Sequence, residues 1–314
     1  MLKILYFGTP DFAAKVLAAL HLEPEFKIVA VYTQLDKRQG RGLKVTASPV
    51  KALASSLGLI VVQPETLRDE AVLSKMRSFN ADVLVNVACG FWLPEAVLTM
   101  FKLGCVNVHP SLLPRWRGAS PIQRAIMAGD EYTGVSIMQM ALELDAGAIY
   151  HQERLKIEPT DNAGTLTGKL IQLSIPLLIT TLKELASGSA TAIEQSESGV
   201  TLAPKIEKEE RVINWQQPSS QLVNLVHALA PDRLAYSFLK QRQWLIGDAS
   251  INKTSQAKAA PGTILELDSS GLTVATSDGA ITLTRLQPAG GKMLSAKEFF
   301  NAYRSSINVG ACFN

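Results

Sequence analysis

Three polar side chains carry the most chemistry in this sequence: the amide of Asn107, the imidazole of His109 and the carboxylate of Asp145. The first two stand in Asn107-Val108-His109-Pro110-Ser111-Leu112-Leu113-Pro114-Arg115-Trp116-Arg117-Gly118, where an apolar strand runs into a proline-stiffened loop. The third follows in Leu144-Asp145-Ala146-Gly147. An amide can donate to a developing oxyanion, an imidazole can donate to the same oxygen or move a proton, and a carboxylate can orient and charge the ring. Together they are the equipment for acyl transfer to an amine. Each also has a plainer use, since a His after an apolar strand is most often a packed or surface residue and Asp-Ala-Gly most often a turn. Ser111 completes a Ser/His/Asp set of residue types, but no Gly-x-Ser-x-Gly elbow surrounds it. A Ser two residues from the His on one loop is also badly placed to be its nucleophile.

The flanking elements place these groups. Leu2 to Phe7 reads as a buried strand, with Thr9 as N-cap and Pro10 as first-turn proline of a helix from Asp11 to Leu20. Lys27 to Thr33 is a second strand, Ser48-Pro49 opens a helix that Gly58 can end, and Thr66 to Phe79 is a further helix. Asp82 to Ala88 lacks polar alternation, as a strand covered on both faces does. Cys105 to Val108 is the next strand, so Asn107 and His109 lie at or just past a strand's carboxyl end, where open α/β sheets bind ligands. Ser120-Pro121 starts a helix ended near Gly129, Thr133 to Met140 and Gly147 to Ile157 flank the Asp145 loop as strands, and a long helix covers Ala163 to Ala186. This is the pattern of a doubly wound, mostly parallel, Rossmann-like α/β sheet. Gly8-Thr9-Pro10 sits where a dinucleotide phosphate loop would, but G-x-G-x-x-G is absent, which argues against a nicotinamide or flavin cofactor.

Composition shifts at Ser187 to Thr201, rich in Ser, Gly, Thr and Glu, which suits a linker. Beyond it lie one helix, Ser219 to Ala230, and short strands at Tyr236 to Leu239, Gln243 to Ile246, Gly262 to Leu267, Gly271 to Thr276 and Ala280 to Leu286. That count fits a smaller OB-like β-barrel. The expected organisation is a catalytic domain over 1–189, a linker over 190–206 and the barrel domain over 207–314.

The chain has 314 residues, 47% of them apolar, yet no unbroken apolar run approaches the ~20 residues of a membrane span. The opening apolar stretch is interrupted too soon to read as a secretory signal. A cytoplasmic location follows by default, and Cys89, Cys105 and Cys312, which form no CxxC pair and no even disulfide set, are expected as reduced thiols. A monomer without membrane contact is expected. His21, His109, His151 and His227 lack metal-ligand spacing, and no metal site is expected. A net charge of +3 is too small to announce a nucleic-acid partner, so any such contact must come from a local patch. The densest basic run is Lys37-Arg38-Gln39-Gly40-Arg41-Gly42-Leu43-Lys44, with Lys51 beyond.

From end to end the chain resembles the methionyl-tRNA formyltransferases. The resemblance is carried by Phe7-Gly8-Thr9-Pro10-Asp11-Phe12-Ala13, Gly40-Arg41-Gly42, Ser48-Pro49-Val50-Lys51, Asn107 to Ile126, Glu143-Leu144-Asp145-Ala146-Gly147 and Leu286-Gln287-Pro288-Ala289-Gly290. It implies transfer of the formyl group of 10-formyltetrahydrofolate to the α-amino group of methionine on initiator methionyl-tRNA, with Asn107, His109 and Asp145 catalytic. It further implies that Ser111, Leu112, Leu113 and Pro114 belong to the folate site, together with a pterin pocket at the strand end holding Ala88 and Gly90. Arg41, and with it Lys44 and Arg38, would approach the tRNA acceptor end, where guanidinium suits phosphates and unpaired bases. The rival readings are a formyltransferase acting on glycinamide ribonucleotide or an amino sugar nucleotide, a formyltetrahydrofolate hydrolase, and a noncatalytic RNA-binding protein with an OB module, which would have no reason to keep Asn107, His109 and Asp145 together.

Overall fold

The computed structural model describes residues 1–39, 44–253 and 259–314 and divides into two compact units. The first comprises Met1–Gly118, Thr133–Leu155 and Thr167–Leu202. Its elements begin with β1 (Leu2–Gly8), α1 (Asp11–Leu22), β2 (Phe26–Tyr32), the short β3 (Lys37–Gln39) and β4 (Lys44–Thr46), α2 (Pro49–Ser56), β5 (Val61–Val62) and α3 (Glu70–Ser78). They continue with β6 (Val83–Val87), α4 (Glu95–Leu98), β7 (Cys105–His109) and the two-residue β8 (Arg117–Gly118). After α5 (Pro121–Ala128) come β9 (Tyr132–Gln139), β10 (Ile149–Lys156), α6 (Ala163–Ser187) and β11 (Leu202–Ala203).

Seven strands form one sheet in the order β10-β9-β7-β6-β1-β2-β5. The pairs from β5 through β7 are parallel and β9 runs antiparallel to β7, so the sheet is mixed with a parallel centre. The central strands are apolar on both faces because both are covered: every residue of β1 but Lys3 is buried. On one face Leu5, Phe7, Tyr32, Leu84 and Cys105 share a core with Met76 of α3 and Val97 of α4. The Phe7 ring stacks on Tyr32 with centroids 4.7 Å apart.

Helix starts follow the sequence in part. Ser48 caps α2 by accepting from Lys51 N at 3.1 Å, and Gly58, with φ +68°, follows the helix end. Thr9 does not cap α1, which has Pro10 at its N-cap and no side-chain bond there. The Thr9 hydroxyl instead donates to Cys89 O at 2.9 Å, tying the exit of β1 to that of β6. Helix α3 begins at Glu70 rather than Thr66. The 25-residue α6 is long and apolar enough by composition to cross a membrane, more than the polar interruptions of its sequence led us to expect. Its buried Leu166, Leu170, Leu178 and Leu182 form a single stripe, the spacing of a core helix.

The stretch expected as a linker over 190–206 is bound to the first unit along part of its length. Ile193 and Ile149 exchange backbone hydrogen bonds of 2.8 and 2.9 Å, and Gln195 is anchored as described below. Its small polar residues look unstructured in sequence because their partners are distant backbone groups.

The second unit comprises Ala119–Tyr132, Lys156–Leu166 and Ala203–Asn314. The pieces 119–132 and 156–166 fall inside the expected 1–189 domain but group here, since α5 packs on α7 (Ser219–Leu229) and Met127 lies against the core of this unit. Strands β12 (Ala235–Leu239), β13 (Arg242–Ile251), β14 (Ile264–Asp268), β15 (Gly271–Ala275) and β16 (Ala280–Pro288) form an antiparallel sheet in the order β12-β13-β16-β15-β14. Strand β17 (Leu294–Ser295) adds to β16, and α8 (Ala296–Tyr303) starts from a capping box between Ser295 and Glu298. Trp215, Leu222, Val226, Ile246, Ile281 and Phe299 are among the residues filling its core.

Candidate active site

Strand alternation turns Cys105, Asn107 and His109 to one face of β7. Asn107 pairs in register with Asn86 on β6, which in turn pairs with Phe7 on β1. Asn107 and His109 are 6% and 4% exposed, so their polar atoms must find partners inside the protein. Asp145 supplies the common one. Asn107 Nδ2 lies 3.5 Å from Asp145 Oδ1, and His109 Nδ1 lies 3.6 Å from Asp145 Oδ2. Gly118 N donates to the same Oδ2 at 2.9 Å. The amide, imidazole and carboxylate singled out in the sequence thus meet in one place.

The remaining valences orient the two side chains. His109 Nε2 is 2.9 Å from Trp116 O, and a carbonyl can only accept, so Nε2 carries a hydrogen. Nδ1 is then the atom turned toward Asp145 and able to accept or return a proton. On the other side, Asn86 Nδ2 donates to Asn107 Oδ1 at 2.8 Å, while Asn86 Oδ1 is buried without a partner among the described residues. An orphaned buried acceptor of that kind costs about 1–3 kcal/mol. Trp116 and Asp145, at φ +68° and +48°, occupy the left-handed region, as does Ala88 at +47°. Such conformations in non-glycine residues cost on the order of 1–3 kcal/mol and gather at functional sites.

Residues that the sequence gave no reason to pick hold the Asp145 loop. Gln195 Nε2 donates to Asp145 O at 2.7 Å and to Gly147 O at 2.8 Å. Its Oε1 accepts from Arg117 Nε at 3.1 Å and from Nη2 at 2.9 Å. Arg117 also reaches Glu143 Oε1 at 3.3 Å. Gly147 is required by contact, since a Cβ there would stand 2.0 Å from Gln139 O.

The loop after His109 is locked from within. Ser111, fully buried, donates its hydroxyl to Arg115 O at 2.7 Å, which leaves that side chain no role as a nucleophile. Ser136 Oγ donates to Ser111 O at 2.7 Å and accepts from Leu113 N at 3.2 Å, and Gln152 Nε2 donates to Leu113 O at 2.9 Å. Leu113 is buried, while Leu112 and Pro114 are half-buried. Ala88 and Gly90 are exposed at the exit of β6, where Gly90 O accepts from Gln34 Nε2 at 3.2 Å. Trp92, 62% exposed, stands beside them in sequence.

Of the basic run, Arg38 and Lys44 lie on the antiparallel β3–β4 pair, whereas Arg41 falls outside the described residues. Lys51 is committed to Asp36 at 2.6 Å. Burial pushes the thiols of Cys89 and Cys105 up to about 12, so both stay protonated at neutral pH and neither is a nucleophile. Among the described residues no group of His, Cys, Asp and Glu could hold a metal ion.

A mixed, Rossmann-like sheet with amide, imidazole and carboxylate converging at its edge defines a group-transfer enzyme. The chain belongs to the formyl transferase family: residues 2–182 match the formyl transferase domain and residues 205–304 the formyl transferase C-terminal domain. Among solved structures, HypX from Aquifex aeolicus in complex with tetrahydrofolic acid superposes with a TM-score of 0.63 at 16% identity, over 98% of this chain and 48% of that one. The chain therefore spans about half the length of HypX. An N-formyltransferase from Helicobacter canadensis, in complex with folinic acid and dTDP-3-aminofucose, gives 0.66 at 16% identity over 90% of this chain and 99% of that one. A sugar N-formyltransferase from Shewanella gives 0.59 at 19% identity over 76% of this chain and 93% of that one.

Proposed function

We propose that this enzyme moves the formyl group of 10-formyltetrahydrofolate to the α-amino group of methionine on initiator methionyl-tRNA. The observation that carries the chemistry is the convergence of Asn107, His109 and Asp145 at the end of β7. A neutral amine attacks the formyl carbon, the carbonyl π electrons move to oxygen, and the carbon–N10 bond then breaks as N10 gains a proton and the amine loses one. Asn107 Nδ2 is the donor for the nascent oxyanion, because its hydrogens point away from Asn86 and into the site. His109 Nδ1 is the station for the travelling proton, and Asp145 holds the charged ring. The donor set suits a folate: the exposed left-handed turn at Ala88 and Gly90 offers backbone to a flat heterocycle beside the apolar Phe91 and Trp92.

The choice of tRNA as acceptor rests on the sequence resemblance, on the basic residues of the β3–β4 segment and on the C-terminal domain, whose antiparallel sheet we read as OB-like and as a surface for RNA backbone. A second reading, transfer to an amino sugar nucleotide, is favoured by the similarity to the Helicobacter canadensis and Shewanella enzymes. One assay decides between them: 10-formyltetrahydrofolate is supplied with charged initiator tRNA, with dTDP-3-aminofucose, with glycinamide ribonucleotide or with water alone, and tetrahydrofolate release is followed. Release only with the tRNA is the expected outcome. Release only with a small nucleotide would overturn the tRNA assignment while keeping the chemistry.

A further inference from the structure

We propose that Asn86 is a positioning residue that fixes which end of the Asn107 carboxamide meets the reacting carbonyl. The inference rests on formyl transfer with Asn107 as the oxyanion donor. Its starting point is the order of donors and acceptors along the row. Asp145 can only accept, so the Asn107 atom facing it must be Nδ2. Asn107 Oδ1 is thereby turned back toward β6, where it needs a donor, and Asn86 Nδ2 meets it at 2.8 Å. That commitment strands Asn86 Oδ1, which is buried with no donor among the described residues.

An apolar residue would avoid this orphan. The other residues of β6 are all Val or Leu, and on β1 the neighbour in register is Phe7. A lone carboxamide in an apolar strand, satisfied only at the end that touches Asn107, serves the orientation of Asn107 rather than the stability of the sheet. Were the donor removed, Asn107 would lose the bond that keeps Oδ1 inward. Inverted, it would present an acceptor where the oxyanion forms.

The test compares Asn86→Val and Asn86→Asp with the wild type, using whichever amine the wild type accepts in the panel above. For Asn86→Val we expect kcat to fall about tenfold or more, part of the loss seen when an oxyanion donor is removed outright. KM for 10-formyltetrahydrofolate should stay within about twofold, and the melting temperature should change little, because the orphan at Asn86 Oδ1 is removed while Asn107 Oδ1 loses its donor. Asn86→Asp adds a pH signature, because only the protonated carboxyl can donate to Asn107 Oδ1. Its activity should fall as pH rises through the carboxyl pKa, a limb absent from the wild type. A kcat for Asn86→Val within about twofold of wild type, or a loss matched by a lower melting temperature, would overturn the proposal. Failure of the tRNA assignment shows separately, in the wild type's choice of amine. A wild type that formylates none of them removes the chemical reading and this inference together.

Discussion

The two units each hold a histidine facing an aspartate, and the pairs are built differently. In the first, His109 is bonded at Nε2 to Trp116 O, and its Nδ1 stands 3.6 Å from a carboxylate that also faces Asn107 and Gly118 N. In the second, His227 Nε2 donates to Asp248 Oδ1 at 3.2 Å and to Ala249 O at 3.0 Å, while Thr284 donates to Asp248 Oδ2 at 2.5 Å. Burial by itself would raise the Asp248 pKa, but the bonds from His227 and Thr284 outweigh it and hold the carboxyl below its ordinary value. The second pair is closed on itself at short distances. The first is longer and lies among left-handed backbone. Residue type does not separate a site from a strut; geometry does.

The largest effect expected from this contrast is in turnover. His109→Ala should lower kcat by about 100- to 10,000-fold, the range for a lost general acid–base group, beyond the stability cost of truncating a buried side chain bonded to Trp116 O. His227→Ala should spare kcat and cost stability alone, about 1–3 kcal/mol. Paired steady-state kinetics and thermal melts check both, and loss of turnover in His227→Ala would erase the distinction. Next in size is Gly147→Ala, whose Cβ would collide with Gln139 O at 2.0 Å and push the Asp145 loop aside. A kcat loss of about tenfold or more is expected, together with a lower melting temperature.

Gln195→Ala removes the clamp on Asp145 O and Gly147 O and should lower kcat several-fold while KM for the formyl donor holds. An unaffected kcat would show that the loop is held by Gly118 and Arg117 alone. The smallest effect is in pH dependence. Because the folded-state pKa of Asp248 is depressed, its contribution to stability is present above the unfolded carboxyl pKa and is lost as pH falls through the folded one. Asp248→Asn should therefore flatten the acid limb of a melting-temperature curve.

Much of this was legible in sequence because local rules and long-range packing agreed. Buried strands such as Leu2–Gly8, the Ser48 cap and the left-handed Gly129 after α5 were all expected from neighbours in the chain. So was the position of Asn107 and His109 at the carboxyl end of a strand, although their distance to Asp145 needed coordinates. What escaped depended on partners far away in sequence. Thr9 looked like a helix cap until its hydroxyl was found on Cys89 O, 80 residues on. Gln195 looked like linker because its partners, Asp145 O and Gly147 O, are 50 and 48 residues distant. Asn86 was hidden inside a strand whose other residues are apolar, and its bond to Asn107 and its unsatisfied Oδ1 show only in coordinates.

The placement of α5 bears on how the molecule can be made. Helix α7 beds against a helix translated some ninety residues before it, and Met127 joins a core otherwise encoded after residue 203. As the ribosome extends the chain, residues 119–132 emerge early and must stay unmated until the last third is synthesised. A protease cut between 190 and 206 would likewise release a carboxyl-terminal fragment lacking a piece of its own interior, and such a fragment should need the amino-terminal half supplied in trans to regain its shape.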